Sequence, residues 1–444
     1  MEEPPKTSSR STAKLMLLAL GVLLAVTFTL MGYVWYANHA AITARLDSLR
    51  AEGLPTNVAE LNEFYRVPVG VANTTGTWVE VIDGVSAPTP EQTEVMKDLP
   101  IVGEGPTPIP PPGTQWAQLD AVAELLAGFE DELKLARAEA GSNGQVRFPV
   151  DFSAGFNTLL EYTQNSRQAA RILLLDAHVA AHRGDDARAL QDVRAMFALS
   201  DALRGEPVLI SQLVRIAIHA IGCDTVDKLL PHCDWDDDDL ASLETAIGTA
   251  EFSKEATRAL YGERVLLLTE LDRMTLGPLR GGSKQTALDF FDQSIAAFDG
   301  TPAEIFQYRD QINAFSNQRQ KGLMAVDSIV LQLLPAVDAV IVATARATAR
   351  QRFTNAAIAA KRYRLTQGQF PESLSAIPPE LLGPTGESAS KLVDPFDGRP
   401  LRYRVESSRI VIYSIGSDEV DDGGDCVEKP DAPAPPDMGI VLPK

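Results

Sequence analysis

Apolar residues run from Leu15 to Tyr36 without a single charged side chain. As a helix these 22 residues extend about 33 Å, enough for a hydrocarbon layer of about 30 Å. Tyr33, Trp35 and Tyr36 gather at the downstream end, where amphipathic rings prefer the headgroup level. A cleaved signal has a shorter apolar core and a small-residue site after it, so the pattern predicts one uncleaved span, with residues 1–14 as a tail. Lys6, Arg10 and Lys14 precede the span, and Arg45 and Arg50 follow it. That bias predicts a single-pass protein of the cell (inner) membrane, N-terminus cytoplasmic and bulk extracytoplasmic.

Beyond the span, Ala37 to Ala51 continues as an amphipathic helix. The run Thr77-Trp78-Val79-Glu80-Val81-Ile82 is rich in β-branched and aromatic residues and predicts a strand. Eight prolines between Ser86 and Gln115 deny the backbone amide donors, so residues 37–115 are expected to be a stalk and a Pro-rich linker or strap. From 116 to 325 the spacing becomes helical, with further helices expected at about 207–230, 237–272, 285–298, 302–320 and 323–365. Ala169 to Ala198 is the clearest unit: small residues at helical spacing, a break at His182-Arg183-Gly184-Asp185-Asp186, then a second apolar stripe. It resembles one tetratricopeptide hairpin, but no second copy follows at a fixed period, so an irregular, α-solenoid-like domain is expected. The carboxylates from Asp234 to Asp239 stand where a helix N-terminus favours them.

Composition narrows the function. The chain has 444 residues and a formal charge of -20, from 40 basic and 60 acidic side chains. Such a field repels phosphate backbones, which argues against nucleic acid as a partner. Cys223, Cys233 and Cys426 form no Cys-x-x-Cys pair; the first two flank Pro231 and leave open either a disulfide or two buried thiols. His178 and His182 stand one helical turn apart, yet the glutamate of a zinc-protease helix is missing. Gly277 to Lys284 superficially resembles a phosphate loop, but Pro278 removes an amide and the Ser-Lys order is reversed, so an inter-helix loop is expected. With no nucleophile elbow either, the chain is not expected to be an enzyme.

The C-terminal region carries ordered motifs. Tyr363-Arg364-Leu365-Thr366-Gln367-Gly368-Gln369-Phe370-Pro371 closes a long helix, and Asp394-Pro395-Phe396-Asp397-Gly398-Arg399-Pro400-Leu401-Arg402-Tyr403 follows. Then come Tyr413-Ser414-Ile415-Gly416-Ser417-Asp418 and the acidic stretch Asp421-Asp422-Gly423-Gly424-Asp425. Leu401 to Val405 and Ile410 to Ile415 read as a two-stranded hairpin. This order resembles the soluble module of type II secretion major pseudopilins. The resemblance implies a helix on a small antiparallel sheet over about 326–426, followed by a disordered tail at 427–444. It also implies a Ca²⁺ loop using Asp418, Asp421, Asp422 and Asp425; on charge alone that loop is equally a solvated acidic turn. The membrane span lacks the family's processing glycine and acidic residue and is separated from the module by most of the chain, so polymerisation is not implied. The expected fold is mainly α: an N-terminal transmembrane helix, an irregular helical middle and a small α+β C-terminal module. The expected function is a non-catalytic, membrane-anchored scaffold or adaptor with a protein partner, linked to secretion or envelope assembly. The alternatives are a helical peptide-binding module and a hydrolase with an unrecognised site.

Overall fold

The computed structural model describes residues 9–105, 109–248, 250–274, 280–319, 327–382, 392–426 and 437–444. Helix α1 spans Ser9–Ala51 as one rod, so the apolar stretch and the amphipathic stretch after it are continuous. Its most apolar part has a mean hydropathy of 2.4 and none of it is buried, a helix long and apolar enough to cross a membrane. The upper end differs: Ile42 and Leu49 are buried against Leu268 and Leu288.

Helices α2 (Val58–Phe64), α3 (Thr75–Ser86) and α4 (Pro90–Lys97) occupy the stretch expected to be stalk and linker. The strand expected at 77–82 is helix. Trp78, Val81, Ile82 and Val85 are its buried residues, and their spacing of three and four makes one helical face. β-Propensity reflects a fit to a half-buried pleat, and tertiary packing overrides it here. Nor do the prolines forbid a helix. Pro90 occupies the first turn of α4, where its missing amide would have had no partner, and Thr89 and Gln92 close a capping box before it. The other described parts of the Pro-rich segment press onto the domain through Leu99, Ile109 and Trp116.

Next come α5 (Leu119–Ala127), α6 (Glu130–Glu139), α7 (Glu161–His182), α8 (Asp186–Ala202) and α9 (Leu209–Leu229). The α7–α8 turn is built as its sequence suggests. Gly184 has φ +73, the Asp185 amide bonds back to the Ala180 carbonyl at 2.9 Å, and Asp185 caps α8 by accepting from the Arg188 amide at 3.2 Å. Although α9 is apolar enough to span a bilayer, two-thirds of its apolar window is buried, as in a core helix. The helix expected over 237–272 is two, α10 (Asp237–Ile247) and α11 (Phe252–Arg273), separated at Gly248 with φ +65. Asp236 opens α10 through a capping box with Asp239, the role expected of that acidic run. Helices α12 (Arg280–Phe298), α13 (Pro302–Arg319) and α14 (Asp327–Gln367) complete the set. Arg280 to Lys284, expected to be loop, opens α12, whereas 277–279 lie outside the described residues.

Strands β1 (Arg402–Val405), β2 (Arg409–Ser414) and β3 (Met438–Pro443) form an antiparallel sheet in the order β1-β2-β3. The tail expected to be disordered therefore supplies the third strand; its residues 427–436 lie outside the described residues. Gly439 permits this pairing, since a Cβ there would stand 2.5 Å from the Ile412 carbonyl oxygen. The sheet packs on α14, and one cluster of buried side chains runs from Trp78 through Leu173 and Val214 to Phe353, Ile410 and Leu442. Sheet and helices thus share a core.

Candidate functional site

The C-terminal motifs converge on one buried carboxylate. Asp394 Oδ1 accepts from the Phe396 amide at 3.1 Å and the Ser414 hydroxyl at 2.9 Å, while Oδ2 accepts from the Ile415 amide at 3.0 Å and Arg402 Nη1 at 2.8 Å. Burial pushes its pKa up, against the pull of those four donors. Phe396 is buried edge-on to Phe306 at 4.8 Å, and the Tyr403 hydroxyl donates to the Pro371 carbonyl at 2.6 Å. The three motifs are therefore a fastening: they close the loop before β1 onto the end of β2 and onto the end of α14. Asp394, Phe396 and Ser414 are buried, whereas Arg402 and Tyr403 are partly exposed.

The four acidic-loop residues do not form one constellation. Asp418 Oδ1 accepts from the Val420 amide at 3.2 Å, within its own turn. Asp421 Oδ1 accepts from the Tyr413 hydroxyl at 3.1 Å and the Gly423 amide at 3.0 Å, and Arg402 Nε lies 3.7 Å from Oδ2. Asp425 also has a partner. The residue that sequence reasoning missed is Asp437, just before β3. It is 2% exposed, and its Oδ2 accepts from the Gly424 amide at 2.7 Å while its buried Oδ1 has no hydrogen-bond partner. Burial pushes its pKa up and the charges of Asp421 and Asp422 push the same way, while the Gly424 and Asp422 amides pull it down. The fit to a hard cation is partial: one orphan oxygen with two carboxylates near it, but no three ligating side chains gathered among the described residues.

The histidine pair is a helix-core feature. His178 is 2% exposed, and burial, with Lys228 and His182 nearby, pushes its pKa down to about 3. His182 Nδ1 lies 2.9 Å from the His178 carbonyl, and its ring leans on Trp116 at 5.1 Å. Beside them, buried Asp176 and Asp192 flank Arg137, whose Nη1 reaches Asp176 Oδ2 at 2.8 Å and Asp192 Oδ1 at 2.9 Å. Cys223 and Cys233 are free and buried.

Polar groups face open space in a groove of about 1070 Å³ bordered by α2, the 139–146 turn, α8, α10 and α11. Its walls are pre-positioned by charge. Arg204 Nη2 sits 2.9 Å from both Asp201 oxygens, and the fully buried Arg215 lies behind, 3.3 Å from Asp201 and 3.6 Å from Glu255. Burial pushes the Glu255 pKa up, partly offset by Arg215 and Arg204. Arg258 lies 4.0 Å over the Phe64 ring and donates to the Gly205 carbonyl at 3.0 Å and to the Phe64 carbonyl. Beneath the floor, Glu206 accepts from Tyr65 at 3.3 Å, Thr163 at 2.9 Å and Ser211 at 2.7 Å, and burial pushes its pKa up. Chemically the groove presents guanidinium, ammonium and carboxylate groups on rigid helices, suited to recognition by charge and hydrogen bonding. No sequence signal marked it, because its walls come from segments far apart in the chain. No protein-family model, no curated protein and no solved structure matches the chain.

Proposed function

We propose that the protein is a single-pass, membrane-anchored scaffold or adaptor, non-catalytic, that holds an extended segment of a protein partner in the groove on the extracytoplasmic side. The observation that carries this reading is the groove itself: its charged walls are braced by buried Arg215 and by Arg258, which pre-organises a recognition surface on rigid elements. α1 supports the anchoring half of the reading, because one continuous rod joins an exposed apolar stretch to the folded body. A photo-crosslinking residue at Lys254, 73% exposed on the groove wall, tests it in intact membranes. We expect a protein adduct from Lys254 that is lost with Arg204→Glu. Adducts that persist unchanged in that variant place the contact elsewhere.

The orphan oxygen of Asp437 favours one addition: a Ca²⁺ ion that draws Asp421 and Asp422 onto it and stiffens the loop between β2 and β3. Calcium should then raise the Tm of the wild type but not of Asp437→Asn; an equal response in both removes calcium from this loop.

A further inference from the structure

The way α1 meets the body fixes where the bilayer surface lies. Arg45 pairs with Asp289 at 2.6 Å and Asp292 at 2.5 Å, and Arg264 donates to the Pro55 carbonyl at 3.3 Å. Lys284 pairs with Asp272 at 2.7 Å. Helix α11 therefore descends antiparallel to α1, with residue 264 beside the top of α1 and residue 272 lower, while α12 ascends from 284 past 289 and 292. Tyr36 ends the apolar stretch nine residues before Arg45, roughly 14 Å at helical rise. Lys284 is five residues before Asp289, roughly 8 Å by the same measure. The lower end of α11 thus stands roughly 6 Å above the level of Tyr36.

A turn hangs from that lower end. Arg273 donates to the Ser153 carbonyl, and a Cβ on Gly155 would lie 2.7 Å from Arg273 Nη1. Phe152 is buried in a cluster with Val265 and Leu266, and half-buried Leu160 packs against it. Between them Phe156 is 46% exposed and Leu159 is 74% exposed. Two large apolar side chains thus stand out on a short turn whose Asn157 is also exposed, between buried Phe152 and half-buried Leu160. The headgroup layer outside the hydrocarbon is about 5–7 Å thick on each side, which matches the height of the lower end of α11, to which Arg273 ties this turn.

We propose that Phe156 and Leu159 seat the body on its own bilayer, entering the lipid interface as a second contact beside the anchor. The inference rests on the anchoring reading above. Its consequence is orientation: Tyr261 in the groove is close enough to Glu52 and Asp299 for both to oppose its ionisation, so the groove is level with the top of α1. A body seated at the turn holds the groove roughly 24 Å above the level of Tyr36, the rise of the helix from Tyr36 to Glu52.

The test uses the full chain in vesicles of phosphatidylethanolamine and phosphatidylglycerol, with Cys426→Ser removing the one half-exposed thiol. An environment-sensitive fluorophore is placed on Leu159→Cys, Tyr36→Cys or Lys254→Cys, and nitroxide-headgroup lipids serve as quencher. Strong quenching and a blue shift at 159 and 36, several-fold above the response at 254, are expected. Quenching at 36 with a response at 159 no greater than at 254 overturns the seat and leaves the anchor standing. No quenching at 36 removes the anchor, and the seat with it.

Discussion

Asp394 in the C-terminal module and Asp192 in the helical domain are both fully buried, and both face an arginine, yet they are held differently. Asp394 has a donor on every side: two amides, one hydroxyl and one guanidinium. Asp192 receives Arg137 on Oδ1, while Oδ2 has no donor and the Asp176 carboxylate lies close by. Burial and that like charge push the Asp192 pKa well up, with Arg137 pulling against them. The lesson concerns solvation. Donors that replace a buried carboxylate's water favour its charged form, and where they are missing burial favours the protonated form.

Removing the better-solvated group should do the most damage. Asp394→Ala orphans two amides and the Ser414 hydroxyl and deprives Arg402 of one partner. Losing one member of a buried pair costs about 3–5 kcal/mol, so we expect a Tm drop of many degrees and new protease cuts within 392–426. A Tm within a degree of wild type would show that the motifs do not fasten the module.

Glu263 sharpens the comparison from between the two. It is buried on α11, where the Leu209 amide donates to it at 2.9 Å, and burial pushes its pKa up to about 7. An acid raised on folding contributes stability that is complete below its unfolded pKa near 4.5 and is lost as pH rises through about 7. Glu263→Gln should match the wild type at pH 5 and exceed it at pH 8, by at most about 3 kcal/mol. Equal Tm differences at the two pH values would mean the group is ionised throughout. His178 works in the opposite sense. Its folded pKa is about 3, so the wild type loses stability as pH falls from about 6.5 towards 3, a slope that His178→Gln should flatten.

Which parts of this could be read in advance follows from how local the physics is. The α7–α8 turn was legible because Gly184 and Asp185 do their work within four residues. The C-terminal motifs were legible as an ordered set, and the helix and hairpin they imply are present, but their purpose was not. That Asp394 collects donors from Ser414 and Ile415 is a matter of distance in space. Thr77 to Ile82 misled because β-branched composition masked the three-and-four spacing of Trp78, Val81, Ile82 and Val85. β3 was hidden behind a proline run and pairs with a strand more than twenty residues earlier. The groove and the acids beneath it, Glu206 above all, left no local trace, because burial and partners come from α2, α7, α8 and α9 together.

A smaller effect comes from Tyr403→Phe, which removes the hydroxyl that ties β1 to Pro371. One hydrogen bond of this kind is worth about 1 kcal/mol, visible as a shift in the denaturation midpoint with an unchanged slope. A larger loss would mean that the bond also aligns Arg402 with Asp394.

The smallest expected change tells the two aspartates apart. Asparagine resembles a protonated aspartate in shape, so Asp192→Asn mimics the form that burial favours at Asp192. At neutral pH it should shift stability by less than about 1 kcal/mol, because Arg137 keeps Asp176. The pH dependence carries the sign. With its folded pKa raised, Asp192 contributes stability that is complete below the ordinary carboxylate range and lost as pH climbs through the raised value. Wild type and variant should therefore agree in acid, with the variant pulling ahead as pH rises. Were Asp192 instead a charged partner of Arg137 like Asp394 with Arg402, the same substitution would cost about 3–5 kcal/mol at neutral pH and the gap would close in acid. A chemical denaturation series over pH separates the two outcomes by both size and direction.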